Sequence, residues 1–315
     1  MSIFSDHIDQ VRTGAAWLKK NIEVIPEIAI ITGSAGPLKL FDHFTSGNPL
    51  LNEGWTDYPI PPGLPKPTLK GHKAKMVVGS INGTSVVLVM GRVHFNECPE
   101  DPYRHIAMVR ALGLFGIKNI ILTNAVGSLK PHCKPGAVCV IADHNSKFMG
   151  HSPLSGDANL IREVLGADFH TGMNPVYDAR FQELAMLGKY DGSIRSGTTS
   201  LMVPGPEFES ASEAEMFAPL ADVVGMSSIP EAMAARQLGM RVLMLSLVTN
   251  RILTRVALDS ELMVSHAGNL NVAETKDATF AVYLAELVGI IGKDLRGELV
   301  ANKPGGRMPV SDEQR

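Results

Sequence analysis

The sequence has few cysteines, no strong excess of charge of either sign and no long apolar run. Its 315 residues include only three cysteines, Cys98, Cys133 and Cys139, and none of them forms a C-x-x-C pair. This odd number without paired spacing predicts neither a disulfide framework nor a zinc knuckle, so we expect reduced, mostly buried thiols. The histidines show no metal-ligand spacing either, and we predict no metal site.

Charge and hydropathy exclude two further classes of partner. The 29 Lys and Arg residues against 32 Asp and Glu give a formal net charge of -3, and the basic residues form no run. We therefore expect binding neither to nucleic acid nor to a membrane. The N-terminus lacks the pattern of a secretory signal, and no apolar run approaches the ~20 residues that span a bilayer. The sequence predicts a cytoplasmic protein that acts on a small molecule.

What the sequence does contain is a repeated pattern of a buried strand followed by a polar loop. Apolar, β-branched runs end abruptly in polar residues or glycine at 28–32, 86–90, 119–123 and 242–248. Helical patterns lie between them at 103–115 and 230–239, the second with Pro230 in its first turn. This alternation predicts an α/β fold, with a central mixed, largely parallel sheet covered by helices.

The domain organisation follows from composition. No repeat and no shift in composition divides the chain, so we predict one domain over residues 1–300. The proline- and glycine-rich segment 52–72 is predicted to be an ordered loop or lid rather than a helix. Residues 301–315 are predicted to form a disordered tail.

Ligands of open α/β sheets bind at the carboxyl ends of the strands, where this sequence concentrates its polar residues. The glycine-rich turn at 33–36 could present backbone N–H groups and the Ser34 hydroxyl to a phosphate, although such a turn is more often only structural. Arg92 and His94 are two residues apart beyond a strand, so in extended backbone both could converge on one anion. The alternative is a solvated loop with an incidental histidine.

Three further segments offer polar groups. Residues 203–210 combine stiff prolines with Phe208 and Glu209 ahead of a possible capping box, although Glu209 could merely line a helix N-terminus. Ser227 lies near the start of a predicted helix, where serine is most often a cap. Thr249 and Asn250 end the most apolar strand, and such a pair often only starts a turn.

In chain order, the segments GSAG, GRVHFNE, LTNAVGSL, MVPGPEFES, VVGMSSIPEAMAARQLGMRV and SLVTNR resemble the trimeric purine nucleoside phosphorylases over about residues 25–291. Six weak motifs in family order are far less frequent by chance than any one of them. The resemblance implies the nucleoside phosphorylase fold and a homotrimer. It also implies phosphate-dependent cleavage of 6-oxopurine ribo- and deoxyribonucleosides, such as inosine and guanosine, to free base and ribose 1-phosphate. Inorganic phosphate is the co-substrate, so no cofactor is implied.

The resemblance further implies a role for each matched residue. The phosphate is expected to contact Ser34, Arg92, His94, the backbone N–H of Ala125 and the Ser227 hydroxyl. The purine and ribose are expected to contact Asn96, Phe208, Glu209, Met226, Thr249, Asn250 and His266. The expected catalytic residues are His94, Glu209 and Asn250. In the trimer, the neighbouring subunit is expected to contribute Phe169 or His170.

The match departs from the family pattern at several positions. Ser-Ala-Gly-Pro stands where Ser-Gly-Leu-Gly is usual, and Asn96 and Ser200 stand in place of tyrosines. His266 is reached only across an apparent insertion at 254–268. Two alternatives therefore stay open. One is a methylthioadenosine phosphorylase, which is expected to carry aspartate at position 250, and the other is a nucleoside-binding relative without catalysis.

The expected contact between Glu209 and the edge of the purine favours 6-oxopurines. Hypoxanthine and guanine carry an N1–H that can donate to the Glu209 carboxylate, whereas adenine presents a bare acceptor there. Two facing acceptors leave both groups unpaired, a loss of roughly 1–3 kcal/mol or more. We expect inosine and guanosine to be better substrates than adenosine.

Overall fold

A computed structural model describes residues 2–33, 55–69, 72–254 and 266–299, and in the last range it describes side chains at 276 and from 278 onward. Within these ranges the strands are β1 (Ile28–Thr32), β2 (Thr56–Pro59), β3 (Lys75–Ile81), β4 (Thr84–Met90), β5 (Asn119–Ser128), β6 (Val138–Asn145), β7 (Ile194–Met202), β8 (Val223–Gly225) and β9 (Arg241–Arg251). The helices are α1 (Ile3–Asn21), α2 (Ala107–Phe115), α3 (Ala158–Leu165), α4 (Ala179–Ala185), α5 (Ala211–Phe217), α6 (Ile229–Gln237) and α7 (His266–Leu295).

The described strands form one mixed sheet in the order β2-β3-β4-β1-β5-β8-β7-β6-β9, with β9 also paired to β5. The ladder from β4 through β1 and β5 to β9 is parallel, as are the β6–β7 and β7–β8 pairs. The other pairs are antiparallel. Because β8 pairs with β5, the strands β5, β9, β6, β7 and β8 close into a ring. The predicted mixed sheet covered by helices is confirmed.

Apolar side chains fill both faces of the sheet. Strand β1 is buried at every position, as expected for a parallel strand with helices on both sides. One face packs against α1, α2 and α6, which contribute residues such as Val11, Leu112 and Ala232. The other packs against α4 and α7, including Phe181 and Leu284. This layering leaves the carboxyl ends of β1, β4 and β5 side by side at one edge.

The structure agrees with several sequence predictions in detail. The run at 28–32 is β1, and α6 carries Pro230 in its first turn. The pattern at 103–115 opens with a 3-10 turn at Arg104–Ile106 before α2 begins. All three cysteines are buried and free. The predicted tail at 301–315 lies outside the described residues.

Two local predictions were wrong, and strand pairing explains both. Segment 52–72 was predicted to be an ordered loop or lid rather than a helix; its described residues form no helix, but β2 forms in it because residues 56–59 pair antiparallel with β3. The strand at 119–123 was predicted to end before a polar loop, yet β5 continues to Ser128, and Ala125 within it pairs with Leu247 of β9. Inside this ladder Ser246 donates to Asn124 Oδ1 at 2.7 Å, so a polar pair is satisfied where the sequence suggested that the strand had ended.

Candidate active site at the strand ends

Arg92 follows β4 through a turn that only glycine fits. Gly91 has φ +110°, and a Cβ at that position would lie 2.8 Å from the Cβ of His72. The turn carries the Arg92 side chain back into the protein, where the residue is only 4% exposed. A Cβ at Gly33, just after β1, would collide with Nη1 of Arg92. The guanidinium therefore lies against the entrance to the predicted phosphate loop.

The Arg92 guanidinium is bound on several sides. Its Nε donates to Glu231 Oε2 at 2.9 Å, and both side chains of this ion pair are less than 5% exposed. Nη1 donates to the Thr123 carbonyl at 2.6 Å and Nη2 to the Ile31 carbonyl at 3.4 Å. Burial raises the pKa of the Glu231 carboxyl, while the charge of Arg92 opposes that shift. The sequence predicted the arginine but gave no sign of Glu231.

His72 joins Arg92 and His94 into one cluster. The backbone N–H of Arg92 donates to His72 Nδ1 at 2.9 Å, and the centroids of the His72 and His94 rings are 5.2 Å apart. Burial, followed by the charges of His94 and Arg92, lowers the pKa of His72 to about 4. His72 is therefore a neutral ring at ordinary pH. No sequence motif marks His72, which is the last residue of the proline- and glycine-rich segment 52–72.

Glu97 fixes His94 from the other side. Its Oε1 accepts from the His94 backbone N–H at 2.7 Å and lies 3.1 Å from His94 Nδ1. Its Oε2 accepts from the Thr68 backbone N–H at 2.6 Å and from the Thr68 hydroxyl at 2.5 Å. Burial alone would raise the pKa of Glu97, but the hydrogen bonds from His94 and Thr68 outweigh it and lower the pKa to about 2. The spacing of three residues between His94 and Glu97, typical of a capping box, could have indicated this pair.

Three loops meet beside this cluster. Asn96 lies in the 3-10 turn Phe95–Glu97, and the Asn96 Nδ2 would be 3.1 Å from a Cβ at Gly205. The Met226 Sδ lies on the same side of Gly205 and would collide with that Cβ. Gly205 has φ +67°, which again suits glycine. The predicted residues Asn96 and Met226 are thus brought together against the loop that leads to Phe208 and Glu209.

Phe208 and Glu209 stand at the entrance to α5. The predicted capping box is present, since Ser210 Oγ accepts from the Glu213 N–H at 3.3 Å and Glu213 Oε2 accepts from the Ser210 N–H at 2.8 Å. Glu213 thus takes the capping role, and the Glu209 carboxylate is not part of the capping box. Burial, with a smaller contribution from the charge of Glu213, raises the pKa of Glu209. The Phe208 ring is 38% exposed, a large apolar surface at this edge.

Thr249 and Asn250 lie within β9 rather than after it, at a bulge where Gly127 of β5 pairs with Asn250. Bulges of this kind re-aim side chains next to active sites. The Thr249 hydroxyl lies 3.0 Å from Asn250 Oδ1 and 3.3 Å from the Val126 carbonyl. Asn250 Nδ2 would lie 3.3 Å from a Cβ at Gly127. Thr249 is 4% exposed, and its hydroxyl lies within hydrogen-bond distance of the Asn250 side chain. Its predicted contact with the nucleoside stays a prediction.

Ser227 lies between Met226 and the N-cap of α6, and it is half-buried. The end of β8 runs beside β5, because a Cβ at Gly225 would lie 3.5 Å from the Ala125 carbonyl. Ser227 is thus two residues beyond the end of β8 and two residues before the start of α6, the helix that carries Glu231. Its predicted contact with phosphate stays a prediction.

Four predicted residues remain, and the structure does not describe the side chains of two of them. Ser34 lies outside the described residues, and His266 begins α7 with its side chain outside them. Phe169 is 39% exposed and packs edge-on against His170 at 5.0 Å. Both lie on an exposed segment between α3 and α4. Their predicted contribution to a neighbouring subunit stays a prediction.

The described residues lack two features. They contain no group of three or more His, Cys, Asp or Glu side chains that could hold a metal ion. They also contain no helix long and apolar enough to cross a membrane. The site at the strand ends is built from Arg, His, Glu and Asn side chains with backbone groups.

Comparison with known proteins points to one family. The family model described as the phosphorylase superfamily matches residues 27–286. A purine nucleoside phosphorylase of Bos taurus is 33% identical over 249 residues, which cover 76% of this chain and 81% of that protein. Purine nucleoside phosphorylase 1 of Bacillus subtilis (strain 168) is 31% identical over 245 residues, covering 77% and 85%. The crystal structure of Schistosoma mansoni purine nucleoside phosphorylase in complex with inosine superposes with a TM-score of 0.77 at 26% identity, covering 90% and 96%.

Proposed function

Because the chain belongs to the purine nucleoside phosphorylases, we propose that it splits 6-oxopurine nucleosides with inorganic phosphate, giving free base and ribose 1-phosphate. The observation that carries the proposal is the joined cluster of Arg92, His72, His94 and Glu97 at the strand ends. Fixed N–H donors in a largely buried place suit an anion. The loops that carry Asn96 and Met226 adjoin this cluster, so a nucleoside there would lie next to the anion.

The phosphate would be held by donors that the fold has already oriented. Each terminal nitrogen of Arg92 carries a second hydrogen that its bond to a backbone carbonyl does not use. His94 Nδ1 faces Glu97, so Nε2 is the nitrogen left for the ligand. The backbone N–H of Ala125 and the hydroxyls of Ser34 and Ser227 complete the proposed set. Such a set of donors would position the phosphate beneath C1′ of the nucleoside.

The reaction exchanges one bond for another at C1′. A phosphate oxygen supplies the electron pair of the new C1′–O bond, and the electron pair of the C1′–N9 bond leaves with the purine. The sugar develops oxocarbenium character on the way, which the phosphate charge favours. Phosphate is itself the attacking group, so we propose no metal or organic cofactor. Asn250 would stabilise the departing base at N7, which takes up the proton that monohydrogen phosphate releases as its oxygen bonds to C1′.

Base selection would depend on Glu209 and Asn250. The Glu209 carboxylate would accept from the N1–H that inosine and guanosine carry and adenosine lacks. The Asn250 amide can accept from N7–H with its oxygen and donate to O6 with its nitrogen. Phe208, which is exposed and adjacent to Glu209 in the chain, would pack against the ring. Together these contacts favour 6-oxopurines over adenine.

We further propose a homotrimer in which Phe169 or His170 of one subunit borders the site of the next. The exposure of both rings on one segment supports this assignment. In a single subunit both rings are exposed to solvent. Exposed aromatic side chains are the kind of surface that subunit interfaces cover.

The proposal is tested by incubating the protein with inosine, guanosine, adenosine and methylthioadenosine, each with and without phosphate, and measuring free base. We expect base release from inosine and guanosine that requires phosphate. Preferential release from methylthioadenosine would identify the alternative enzyme. Binding of inosine without base release would identify a nucleoside-binding protein.

A further inference from the structure

The first turn of α6 repeats a motif that the chain uses elsewhere, with a different outcome. Ser210 and Glu213 form a closed capping box at the start of α5. Ser228 and Glu231 have the same S-x-x-E spacing at the start of α6, where Ser228 is the N-cap and Glu231 the third helical residue. Yet Ser228 makes no side-chain cap hydrogen bond, and its buried hydroxyl has no partner among the described residues.

The Glu231 carboxylate is directed instead to Arg92, 139 positions earlier in the chain. Leaving a cap unmade and a hydroxyl buried without a partner is unfavourable. The local sequence therefore offers Glu231 a stabilising contact within its own helix, and the fold uses the carboxylate elsewhere. A capping role does not account for Glu231.

The contact fixes the guanidinium rather than merely neutralising it. The Nε–H···Oε2 bond and the two bonds to the carbonyls of Thr123 and Ile31 hold three different nitrogens of one planar group. Three such points define the plane and the rotation of the guanidinium. The second hydrogens of Nη1 and Nη2 then have a set direction, with Nη1 beside Gly33.

We infer that Glu231 is a positioning residue, which holds Arg92 in the orientation that phosphate binding requires. The inference rests on the proposed function of Arg92. Because the carboxylate also compensates the charge of the guanidinium, the pair can stay buried before phosphate arrives. Phosphate then meets donors that need no reorientation, which reduces the entropic cost of binding.

The test compares Glu231→Ala with Glu231→Gln, whose amide oxygen can still accept from Arg92 Nε. Calorimetry gives the Kd for inorganic phosphate, and initial rates give the KM for phosphate and for inosine. We expect Glu231→Ala to raise the Kd and KM for phosphate by about tenfold, the loss typical of one oriented charge-assisted hydrogen bond, with inosine KM changed by less than about threefold. Glu231→Gln should recover most of the affinity for phosphate.

The matched control is Gln237→Ala at the other end of α6. Gln237 is also buried, but its carbonyl oxygen accepts from Arg110 and not from Arg92. If it weakens phosphate binding as much as Glu231→Ala does, the effect belongs to helix packing and the inference is wrong. Should Glu231→Ala fail to fold, Glu231→Asp takes its place, since the shorter side chain withdraws the acceptor from Nε. The Glu231→Asp variant should bind phosphate more weakly than the Glu231→Gln variant.

A double-mutant cycle with Arg92→Ala gives the second readout. If Glu231 acts through Arg92, Glu231→Ala should add no further loss of phosphate affinity when Arg92 is already absent. Additive losses, or equal losses for phosphate and inosine, would overturn the inference. A wild-type protein that binds phosphate but releases no base would contradict the proposed reaction alone, because the phosphate Kd series still decides the role of Glu231.

Discussion

The backbone N–H of Arg92 donates to Nδ1 of His72 across 2.9 Å. A ring nitrogen that accepts carries no hydrogen, so the neutral His72 ring is protonated on Nε2. That Nε2 is buried, and none of the described residues accepts its hydrogen. The same bond ties the His72 ring to the backbone of the turn that carries Arg92. His72 thus supports the turn and offers a donor beside His94.

We predict that His72→Phe weakens phosphate use much more than nucleoside binding. The phenyl ring retains most of the volume but neither accepts from the Arg92 backbone nor donates from its edge. We expect the KM for phosphate to rise by about tenfold and the KM for inosine by less than about threefold, since the lost bond supports the Arg92 turn and none of the proposed nucleoside contacts involves His72. Steady-state kinetics with each substrate varied in turn measures both. Equal changes in the two KM values would remove His72 from the phosphate site.

Asn250→Asp is predicted to lower activity on inosine and to shift relative preference toward adenosine. An ionised aspartate only accepts, so it would face the O6 of inosine with a second acceptor but could pair with N7–H and the 6-amino group of adenine. Thr249 lies within hydrogen-bond distance of the side chain at this position and should keep it in place. Glu209 would still oppose adenine N1, so we expect a changed ratio rather than an efficient adenosine enzyme.

The ratio of kcat/KM for inosine to kcat/KM for adenosine, in wild type and Asn250→Asp, tests this assignment. A conservative control is Thr249→Ser, which keeps the hydroxyl beside Asn250 and should leave the ratio unchanged. If Asn250→Asp also leaves it unchanged, Asn250 does not touch the purine edge.

The sequence predicted the elements that depend on local pattern and missed the contacts that depend on long-range pairing. The run at 28–32 matches β1 because a continuously apolar, β-branched segment fits a strand buried on both faces. The extension of β5 beyond residue 123 depends on β9, whose residues lie more than a hundred positions away. No pattern in one sequence links Arg92 to Glu231, which lie 139 positions apart.

Stability is predicted to fall as the pH is lowered from 7 to 5, partly because of buried histidines. Burial, followed by the charge of Arg110, lowers the pKa of His7 to about 2 and that of His105 to about 3. An unfolded histidine has a pKa near 6.5, so below that value the unfolded chain takes up protons that the folded protein does not. Stability from each neutral histidine is therefore present above pH 6.5 and is lost as the pH falls.

His105→Phe should reduce that loss. The His105 ring packs edge-on against Phe95 at 5.5 Å, and its Nε2 has no partner among the described residues, so a phenyl ring can replace it. Without this proton uptake, the free energy of unfolding should decrease between pH 7 and pH 5 by about 2 kcal/mol less in the variant than in the wild type. Urea unfolding at both pH values, at one protein concentration, measures the difference. An identical loss in variant and wild type would show that His105 titrates normally in the folded state.

The proposed trimer predicts a defect that appears at the active site rather than in folding. Phe169→Ala removes an exposed ring, so we expect the thermal unfolding midpoint of the subunit to change little. If the ring borders a neighbouring site, KM for inosine should rise by about tenfold through lost apolar contact. His170→Ala provides the comparison that decides between the two rings. Sedimentation equilibrium showing a monomer at micromolar concentration would contradict the trimer.

The most direct test of the central claim is to follow inosine and inorganic phosphate with the protein by phosphorus NMR, while hypoxanthine is measured in the same sample. The account predicts that ribose 1-phosphate appears in equal amount to hypoxanthine and that Arg92→Ala suppresses both. Free ribose with unchanged phosphate would show hydrolysis instead. The absence of hypoxanthine from a folded protein that binds inosine would show that the cluster at the strand ends does not catalyse phosphorolysis.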